Sequence, residues 1–124
     1  MSFSIGLDMI DIPRIKKMAQ NETFLTKIFT PKENELFNTK KNNKYQTIAG
    51  NFCGKEAFVK AAGTGFSGIS PIEIEILRDV SGKPFITLYG RYEHFLDEHT
   101  VEISITHTDS SSAAVVLIYD KKYE

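Results

Sequence analysis

Alternating apolar and small or polar residues predict a β-strand at the beginning of the chain, over residues 3–11 (FSIGLDMID). Successive side chains of a strand point to opposite faces, so every second residue shares a face. One face of this strand carries Phe3, Ile5, Leu7 and Met9. Gly6 and Asp8 lie on the other face, which places the carboxylate away from the apolar side chains.

A short basic helix is predicted directly after this strand, over residues 13–19. Pro13 suits its first turn because the fixed φ of proline fits there. Arg14, Lys17 and Met18 are three and four positions apart and therefore share one face. The helix is thus expected to present a small basic surface with one apolar member.

Two more helices are predicted before residue 44. Residues 22–29 form the first of them. Thr30, Pro31 and Glu33 indicate the start of the next one, with Thr30 as N-cap, Pro31 as the first helical residue and Glu33 as the reciprocal cap. The polar stretch 38–44 (NTKKNNK) is predicted to be a loop.

The longest predicted helix runs from about residue 45 to residue 62. Steps of three and four predict one buried stripe that contains Ile48, Phe52, Glu56 and Val59. A buried carboxylate needs a partner, because removing charge from water is costly. For Glu56 two partners are open: Lys60 one turn later, in a pair worth about 0.3 to 0.5 kcal/mol if exposed, or a metal ion. The stripe alone favours the ion pair.

Two glycines follow this helix in the sequence Gly63-Thr64-Gly65. Phosphate-binding loops place their glycines before a helix, where backbone N–H groups meet the anion. Gly63 is therefore predicted to be the C-cap of the long helix, and Gly65 to leave room for close backbone approach.

A hairpin is predicted next, with strands over residues 72–76 and 85–88 around the turn 81–84 (SGKP). Isoleucine and glutamate alternate cleanly in the first of these strands (IEIEI). A short helix is predicted over residues 89–99.

Two strands are predicted to close the chain. Residues 101–106 alternate, and His107 extends the apolar face of Val101, Ile103 and Ile105. A histidine there is more often a core or edge residue, but the surrounding hydroxyls also suit a strand end beside an anion. The last strand, 113–120, is apolar on both faces at its centre, which predicts a central strand or one lying against another subunit.

Composition is that of an ordinary globular domain, with 124 residues, 41% hydrophobic and 25% charged. No apolar run is long enough to span a bilayer. The amino-terminal stretch lacks a signal-peptide pattern, and Cys53 alone cannot form an internal disulfide, so a cytoplasmic protein is expected.

The charge is distributed unevenly along the chain. The net charge is −1, yet residues 1–60 hold ten Lys and Arg against six Asp and Glu. That basic half can attract an acidic partner.

Few side-chain clusters with catalytic spacing occur. His94, His99, His107 and Cys53 have no zinc-like spacing, and no nucleophile-elbow motif is present. Asp8 and Glu56 are the type of pair that Mg²⁺ prefers, since it binds one or two carboxylates with water and phosphate oxygens. Their spacing in the sequence does not show that they meet. Cys53 is predicted to be a small hydrophobic residue of the long helix.

Four separated segments, taken together, form a family pattern. They are Ile5-Gly6-Leu7-Asp8 with Ile12-Pro13-Arg14-Ile15, then FCGKEAFVKAAGTG over residues 52–65, Gly82-Lys83-Pro84, and Ser104-Ile105-Thr106-His107-Thr108. In order and spacing they resemble the bacterial holo-acyl-carrier-protein synthases, which are short 4′-phosphopantetheinyl transferases. The resemblance implies an α+β, 4′-phosphopantetheinyl transferase-like fold in one domain, residues 1–124. A mostly antiparallel sheet would pack with a long helix and several short helices.

The resemblance also implies an activity, the Mg²⁺-dependent transfer of 4′-phosphopantetheine from coenzyme A to a serine of apo acyl carrier protein. Adenosine 3′,5′-bisphosphate would be released, and the reaction would support fatty acid and lipid biosynthesis. Asp8 and Glu56 match the family's metal ligands, and Lys60 matches the lysine that faces the pyrophosphate; all three are implied to be catalytic. The general base, Glu56 or metal-bound water, stays open. On this basis Glu56 is interpreted as a metal ligand.

Further residues match the family's binding positions. Coenzyme A contacts are implied for Lys60, Gly63, Gly65, Lys83, Pro84, His107 and Thr108. Carrier-protein contacts are implied for Arg14, Lys17, Met18 and Lys27. Homotrimers with sites between subunits are also implied, so that Asp8 and Glu56 would come from one chain, and residues 82–84 and His107 from its neighbour. The sequence departs from the family pattern at Cys53-Gly54, where alanines are usual, without affecting a functional position.

Two alternatives to an enzyme were weighed. A non-catalytic module that binds coenzyme A or a nucleotide and docks on a carrier protein would need Lys83 and His107 but not both carboxylates. A nucleic-acid-binding protein is disfavoured, because the isoelectric point is about 6.3 and the lysines are scattered. The prediction is therefore an enzyme without nucleic-acid or membrane partners.

Overall fold

Residues 3–124, the part of the chain that this computed structural model describes, form five strands, five α-helices and four short 3₁₀ turns. The strands are β1 (Phe3–Asp11), β2 (Ile74–Arg78), β3 (Pro84–Leu88), β4 (His99–His107) and β5 (Ser111–Asp120). The helices are α1 (Ile12–Met18), α2 (Glu22–Ile28), α3 (Pro31–Asn38), α4 (Lys44–Ala62) and α5 (Phe95–Glu98). The 3₁₀ turns are Gly65–Ser67, Pro71–Glu73, Gly90–Tyr92 and Lys121–Tyr123. No helix of this part is both long and apolar enough to cross a membrane.

Two antiparallel sheets make up the β-structure. In the larger sheet the strand order is β1-β5-β4, and the smaller sheet is the β2–β3 hairpin. The prediction that the last strand is central is confirmed, since β5 pairs with both neighbours. α4 packs across the inner face of the larger sheet, where Ala114, Val116 and Ile118 are buried. The α+β class predicted from the sequence is confirmed.

β1 and α4 approach each other closely at Gly6. A Cβ atom at this position would lie 2.7 Å from the backbone nitrogen of Ala61 and still closer to the carbonyl oxygen of Ala57. Real Cβ atoms do not tolerate such contacts, so the spacing of strand and helix requires glycine. Asp8 lies on the same face of the strand, two residues further on, and is therefore directed towards α4.

Burial extends around most of α4, so the predicted stripe describes only part of the helix. Ile48 and Val59 are buried, but Phe52 and Glu56 are only half-buried. The charged residue in the helix core is Lys55, which is 1% exposed. The prediction that Glu56 occupies the buried face is wrong. The sheet, the hairpin and α3 contact α4 from several directions, so the buried surface of this helix is not the single stripe that periodicity describes.

Local signals at helix ends are confirmed. Thr30 and Glu33 form the predicted capping box at the start of α3, with both reciprocal hydrogen bonds present. Gly63 ends α4 with a left-handed φ of 75°, as predicted for a C-cap. The helix bounds differ from the predicted ones by a residue or two, as is usual for fraying ends.

Two predictions for the second half need correction. Residues 71–73 form a 3₁₀ turn, so β2 begins only at residue 74 and not at residue 72; Glu75 of this strand is buried. The helix predicted over residues 89–99 is mostly absent: only Phe95–Glu98 is α-helical, after the 3₁₀ turn at Gly90–Tyr92. β4 already begins at His99, because that residue pairs with Asp120 of β5.

The apolar face of β1 points away from α4 and into solvent. Its side chains are 58% to 70% exposed in the single chain: Phe3, Ile5, Leu7 and Met9. Across the strand register they lie beside four half-buried residues of β5: Tyr119, Leu117, Val115 and Ala113. We call these eight residues the outer face of the sheet.

Candidate active site

Asp8 of β1 and Glu56 of α4 are brought together by the close packing of strand and helix. Burial raises the pKa of the Glu56 carboxyl above its ordinary value, and the negative charge of Asp8 raises it further. The positive charge of Lys60 acts in the opposite direction. The two carboxylates are therefore close enough for their charges to interact, and they form an electronegative site that a bound cation would neutralise.

Lys60 pairs with Asp8 and not with Glu56. Its Nζ atom lies 3.2 Å from Asp8 Oδ1 and donates to the carbonyl oxygen of Leu7 at 2.9 Å. The ion pair between Glu56 and Lys60 that the stripe favoured is therefore not the one formed. Lys60 is 53% exposed, so its ammonium group can still reach a ligand.

The carboxylate pair fits Mg²⁺ bound together with substrate. Among residues 3–124 no three His, Cys, Asp or Glu side chains cluster as a complete metal site, so protein ligands alone do not fill a coordination sphere. Mg²⁺ commonly uses one or two carboxylates and takes its other ligands from water and phosphate oxygens. Asp8 and Glu56 supply that number, and a bound cation would offset the negative charge that Asp8 places near Glu56.

Cys53 lies beside these carboxylates but takes no part in their chemistry. It is fully buried, and its thiol contacts the carbonyl oxygen of Ser112. Burial, followed by the charge of Asp8, raises the pKa of the Cys53 thiol to about 12. The thiol is therefore protonated at neutral pH, which agrees with its prediction as a small hydrophobic residue.

A polar cavity of about 540 Å³ lies on the other side of α4 from the carboxylate pair. Three residues of the predicted coenzyme A motifs line it: Gly82, Pro84 and His107. Lys83 and Thr108 are not among its lining residues: Lys83 Nζ is 3.7 Å from Glu102 Oε2, and the Thr108 hydroxyl accepts hydrogen bonds from the next turn. Both side chains are on the surface nearby.

Basic residues that the sequence interpretation missed also line this cavity. They are Lys40 and Arg78. Burial lowers the pKa of Arg78, although guanidinium remains charged at neutral pH. The position of Arg78 just before the SGKP turn was the available signal. Their positive charges can attract an anion, although the carboxylate of Asp79 also lines the cavity.

The carboxylate pair and the polar cavity are separate within one chain. Asp8, Glu56 and Lys60 do not line the cavity that contains His107. β1 and β4 are the two edges of the larger sheet, with β5 between them, so their backbones are about 10 Å apart. A single chain therefore holds two parts of the predicted site on different sides.

The predicted carrier-binding residues lie on α1 and α2, on the side of the carboxylates. Arg14, Lys17 and Lys27 are exposed. Met18 lines an apolar cavity of about 340 Å³ that also includes Glu56. Six further residues that sequence interpretation did not assign to a site also line it: Phe24, Ile28, Phe52, Lys55, Phe66 and Pro71.

The glycines after α4 leave open space beside Lys60. Gly63 and Gly65 have φ values of 75° and 58°, and among residues 3–124 no atom beyond the adjacent residues lies within 4 Å of a Cβ built on either. The expected room at Gly65 is therefore present on its solvent side.

Comparisons with known proteins identify the family. The model of the 4′-phosphopantetheinyl transferase superfamily matches residues 4–116. A holo-[acyl-carrier-protein] synthase of Lachnoclostridium phytofermentans is 47% identical over 94% of this chain and 95% of its own, and one of Clostridium botulinum is 44% identical over 92% and 94%.

Solved structures agree. A holo-(acyl-carrier-protein) synthase of Bacillus anthracis, in complex with CoA (3′,5′-ADP), superposes with a TM-score of 0.82 at 32% identity, covering 96% of this chain and 98% of its own. The Helicobacter pylori synthase in complex with coenzyme A gives a TM-score of 0.80 at 31% identity, covering 92% and 98%. The chain belongs to the 4′-phosphopantetheinyl transferase superfamily, within its family of holo-[acyl-carrier-protein] synthases.

Proposed function

We propose that the chain transfers 4′-phosphopantetheine from coenzyme A to a serine of apo acyl carrier protein, as a single domain in the cytoplasm that serves fatty acid biosynthesis. The observation that carries this proposal is the meeting of Asp8, Glu56 and Lys60 from β1 and α4. Support comes from relatives that are synthases of this name, two of which were crystallised with coenzyme A or its 3′,5′-ADP portion.

An enzyme is favoured over the alternative of a non-catalytic module. Such a module has no use for two carboxylates held against each other, because their negative charge opposes the binding of a pyrophosphate unless a cation offsets it. Membership in a family of synthases gives the same answer.

The proposed reaction is a displacement at phosphorus. The serine oxygen of the carrier forms a bond to the phosphorus that bears pantetheine, while the bond from that phosphorus to the bridging oxygen breaks. The electron pair leaves with adenosine 3′,5′-bisphosphate, and the serine proton passes to Glu56 or to water. Phosphoryl transfer of this kind depends mainly on positioning and on offsetting charge.

The chain's own residues have distinct tasks in this reaction. Asp8 and Glu56 would hold Mg²⁺, which offsets charge on the pyrophosphate. Lys60 is close enough to Asp8 to stay oriented, and exposed enough to contact the leaving phosphate. The glycines after α4 leave the approach to Lys60 free of side chains.

We further propose a homotrimer with sites between subunits. The outer face of the sheet exposes four large apolar side chains on β1 alone, which is more than a monomer commonly leaves in one patch. In addition, the carboxylate pair and the cavity with His107 lie apart in one chain, so a neighbour that supplies Lys83, Pro84 and His107 would complete the site.

Mass spectrometry of apo acyl carrier protein tests the activity. With coenzyme A and Mg²⁺, the carrier should gain the mass of one phosphopantetheine, and a chelator should prevent the gain. Glu56→Gln and Asp8→Asn should each remove Mg²⁺-dependent turnover, whereas the control Glu35→Gln, an exposed carboxylate of α3, should not. No mass gain with several apo carriers would refute the proposed function.

A further inference from the structure

A polar network lies in the core between α3, α4 and β2, and its Lys55 also lines the apolar cavity that includes Glu56. Its central residues are Glu33, Asn51 and Lys55, which are 0%, 0% and 1% exposed. Glu33 was assigned from the sequence only as a helix cap, and Lys55 and Asn51 were not assigned at all. None of the three takes part in the proposed reaction.

The ammonium group of Lys55 has a hydrogen-bond acceptor for each of its three N–H donors. It donates to Glu33 Oε1 at 2.7 Å, to the carbonyl oxygen of Pro71 at 2.9 Å and to that of Ile74. These acceptors belong to α3, to the 3₁₀ turn at Pro71–Glu73 and to β2. The side chain thus ties α4 to three other segments.

Glu33 connects the same segments from the opposite side. Its Oε1 also accepts from the backbone N–H of Thr30, at 3.1 Å. Its Oε2 accepts from Asn51 Nδ2 at 2.9 Å and from the backbone N–H of Ile76 at 3.3 Å. One carboxylate therefore joins the start of α3, the middle of α4 and β2.

Stability alone does not explain this network. Burial lowers the pKa of Lys55 and raises that of Glu33, so each charge is disfavoured by its surroundings and retained by the other. Asn51 Oδ1 is buried without a hydrogen-bond partner among the described residues. Replacing a buried ion pair with apolar side chains is often neutral or stabilising. A role in geometry is the stronger explanation.

The network can fix the direction in which the side chain of Glu56 points, because Glu56 directly follows Lys55 on α4. Neighbouring side chains on a helix are about 100° apart, so fixing one direction fixes the next. At the helix surface, a rotation of about 10° moves a side-chain atom by about 1 Å. Displacements of that size at a reacting centre can lower rates by about 100-fold. The orientation of α4 therefore determines whether Glu56 faces Asp8.

We propose that Glu33 and Lys55 are positioning residues whose buried ion pair fixes the rotation of α4, so that Glu56 is held towards Asp8. The inference rests on the proposed function, because it gives the network a purpose only if Glu56 is a metal ligand. It assigns a role to two residues that touch neither substrate nor metal.

The test is the double variant Glu33→Met/Lys55→Met. It removes both charges together, so neither remains buried without its partner, and it should melt at a higher temperature than either single variant. We expect it to fold yet to lose at least tenfold in kcat. Calorimetry should show weaker binding of Mg²⁺ in the presence of coenzyme A. The salt dependence of carrier binding should not change, since Arg14 and Lys17 are untouched.

Lys32→Met/Glu35→Met is the control, because it makes the same change in composition on the exposed side of α3. A folded Glu33→Met/Lys55→Met variant with wild-type kcat and wild-type Mg²⁺ binding would overturn the proposal, and the wild-type assay would still support the proposed function. If the double variant does not fold, the nearly isosteric Glu33→Gln is measured in the same way, with the same expected losses. Unfolding of both would also overturn the proposal, since the network would then serve the fold.

Discussion

Gly6 sets the distance between β1 and α4, and with it the position of Asp8. The atoms that block a Cβ there belong to the backbone of α4, so no rotation of a side chain can relieve the contact. Any larger residue must push strand and helix apart. The consequence reaches the site, because Asp8 and Glu56 stand on the two elements that would separate.

Gly6→Ala should lower the free energy of unfolding by about 1 to 3 kcal/mol, the usual effect of overpacking. Urea denaturation measures it. Ser4→Ala, on the same face of the same strand, is the control and should change stability little. The Mg²⁺ concentration that gives half-maximal activity should also be higher for Gly6→Ala, because the two carboxylates would lie further apart. Equal stability of the two variants would contradict the close approach at Gly6.

Arg14→Glu should raise the KM for acyl carrier protein about tenfold and leave kcat nearly unchanged, since an exposed charge on a docking surface acts mainly on encounter. Added salt should weaken carrier binding by the wild-type protein and reduce the difference between the two. Lys121→Glu, exposed at the other end of the chain, serves as control. An unaltered KM would remove Arg14 from the carrier-binding surface.

At the scale of elements, the β2–β3 turn is built around Asp79. Its Oδ1 accepts from the Ser81 N–H at 2.9 Å, the Ser81 hydroxyl at 2.6 Å and the Lys83 N–H at 3.0 Å. These hydrogen bonds, with that from the Ser81 hydroxyl foremost, lower the pKa of Asp79 below its ordinary value of 3.8. The turn that presents Gly82 and Pro84 to the polar cavity is thus held by an ionised carboxylate.

The stabilisation that Asp79 gives the turn should be present above pH 3.8 and be lost as the pH falls through its lower folded-state pKa. The sign follows because a depressed pKa means that folding favours the ionised form. NMR titration of the carboxyl group should give a midpoint below 3.8, and the protection of the Lys83 amide against exchange, relative to an unstructured amide at the same pH, should fall below that midpoint. Asp79→Asn should abolish the pH dependence. A midpoint at or above 3.8 would refute the expectation.

Local elements were predictable because their signals lie within a few residues. The capping box of Thr30 and Glu33 and the C-cap at Gly63 depend on neighbours in the chain alone. The second role of Glu33 was not predictable, because Lys55 lies 22 positions away and meets it only through tertiary packing. For the same reason, periodicity selected Glu56 as the buried charge of α4 when the adjacent lysine is the buried one.

For the whole molecule, the outer face of the sheet is the surface through which we propose that three copies assemble. The sequence predicted its alternation correctly, but periodicity cannot tell whether an apolar face meets the chain's own core or a second copy. α4 covers the face of β1 that carries Gly6 and Asp8, and this leaves Ile5 and Leu7 open. The proposed trimer would cover them.

Leu7→Glu should dissociate the proposed trimer, because it places a charge in an apolar contact that would be buried on assembly. Sedimentation should then give the mass of one chain where the wild type gives that of three. Carrier modification should fall with assembly, since His107 of a neighbour would be missing from the site. Ile72→Glu, at an exposed apolar residue elsewhere, should leave mass and activity unchanged. A wild-type protein that sediments as one chain would refute the trimer.

Both faces of β1 restrict which side chains the strand can carry. Its inner residues include Gly6 and Asp8, and its outer residues are the large apolar ones. Insertion of one residue into the strand would exchange the two faces and place the carboxylate outside. Saturation mutagenesis should therefore find nearly every position of β1 intolerant, odd and even alike, whereas exposed positions of α2 should accept most substitutions. We expect this strand to be among the slowest-changing segments of the chain during evolution.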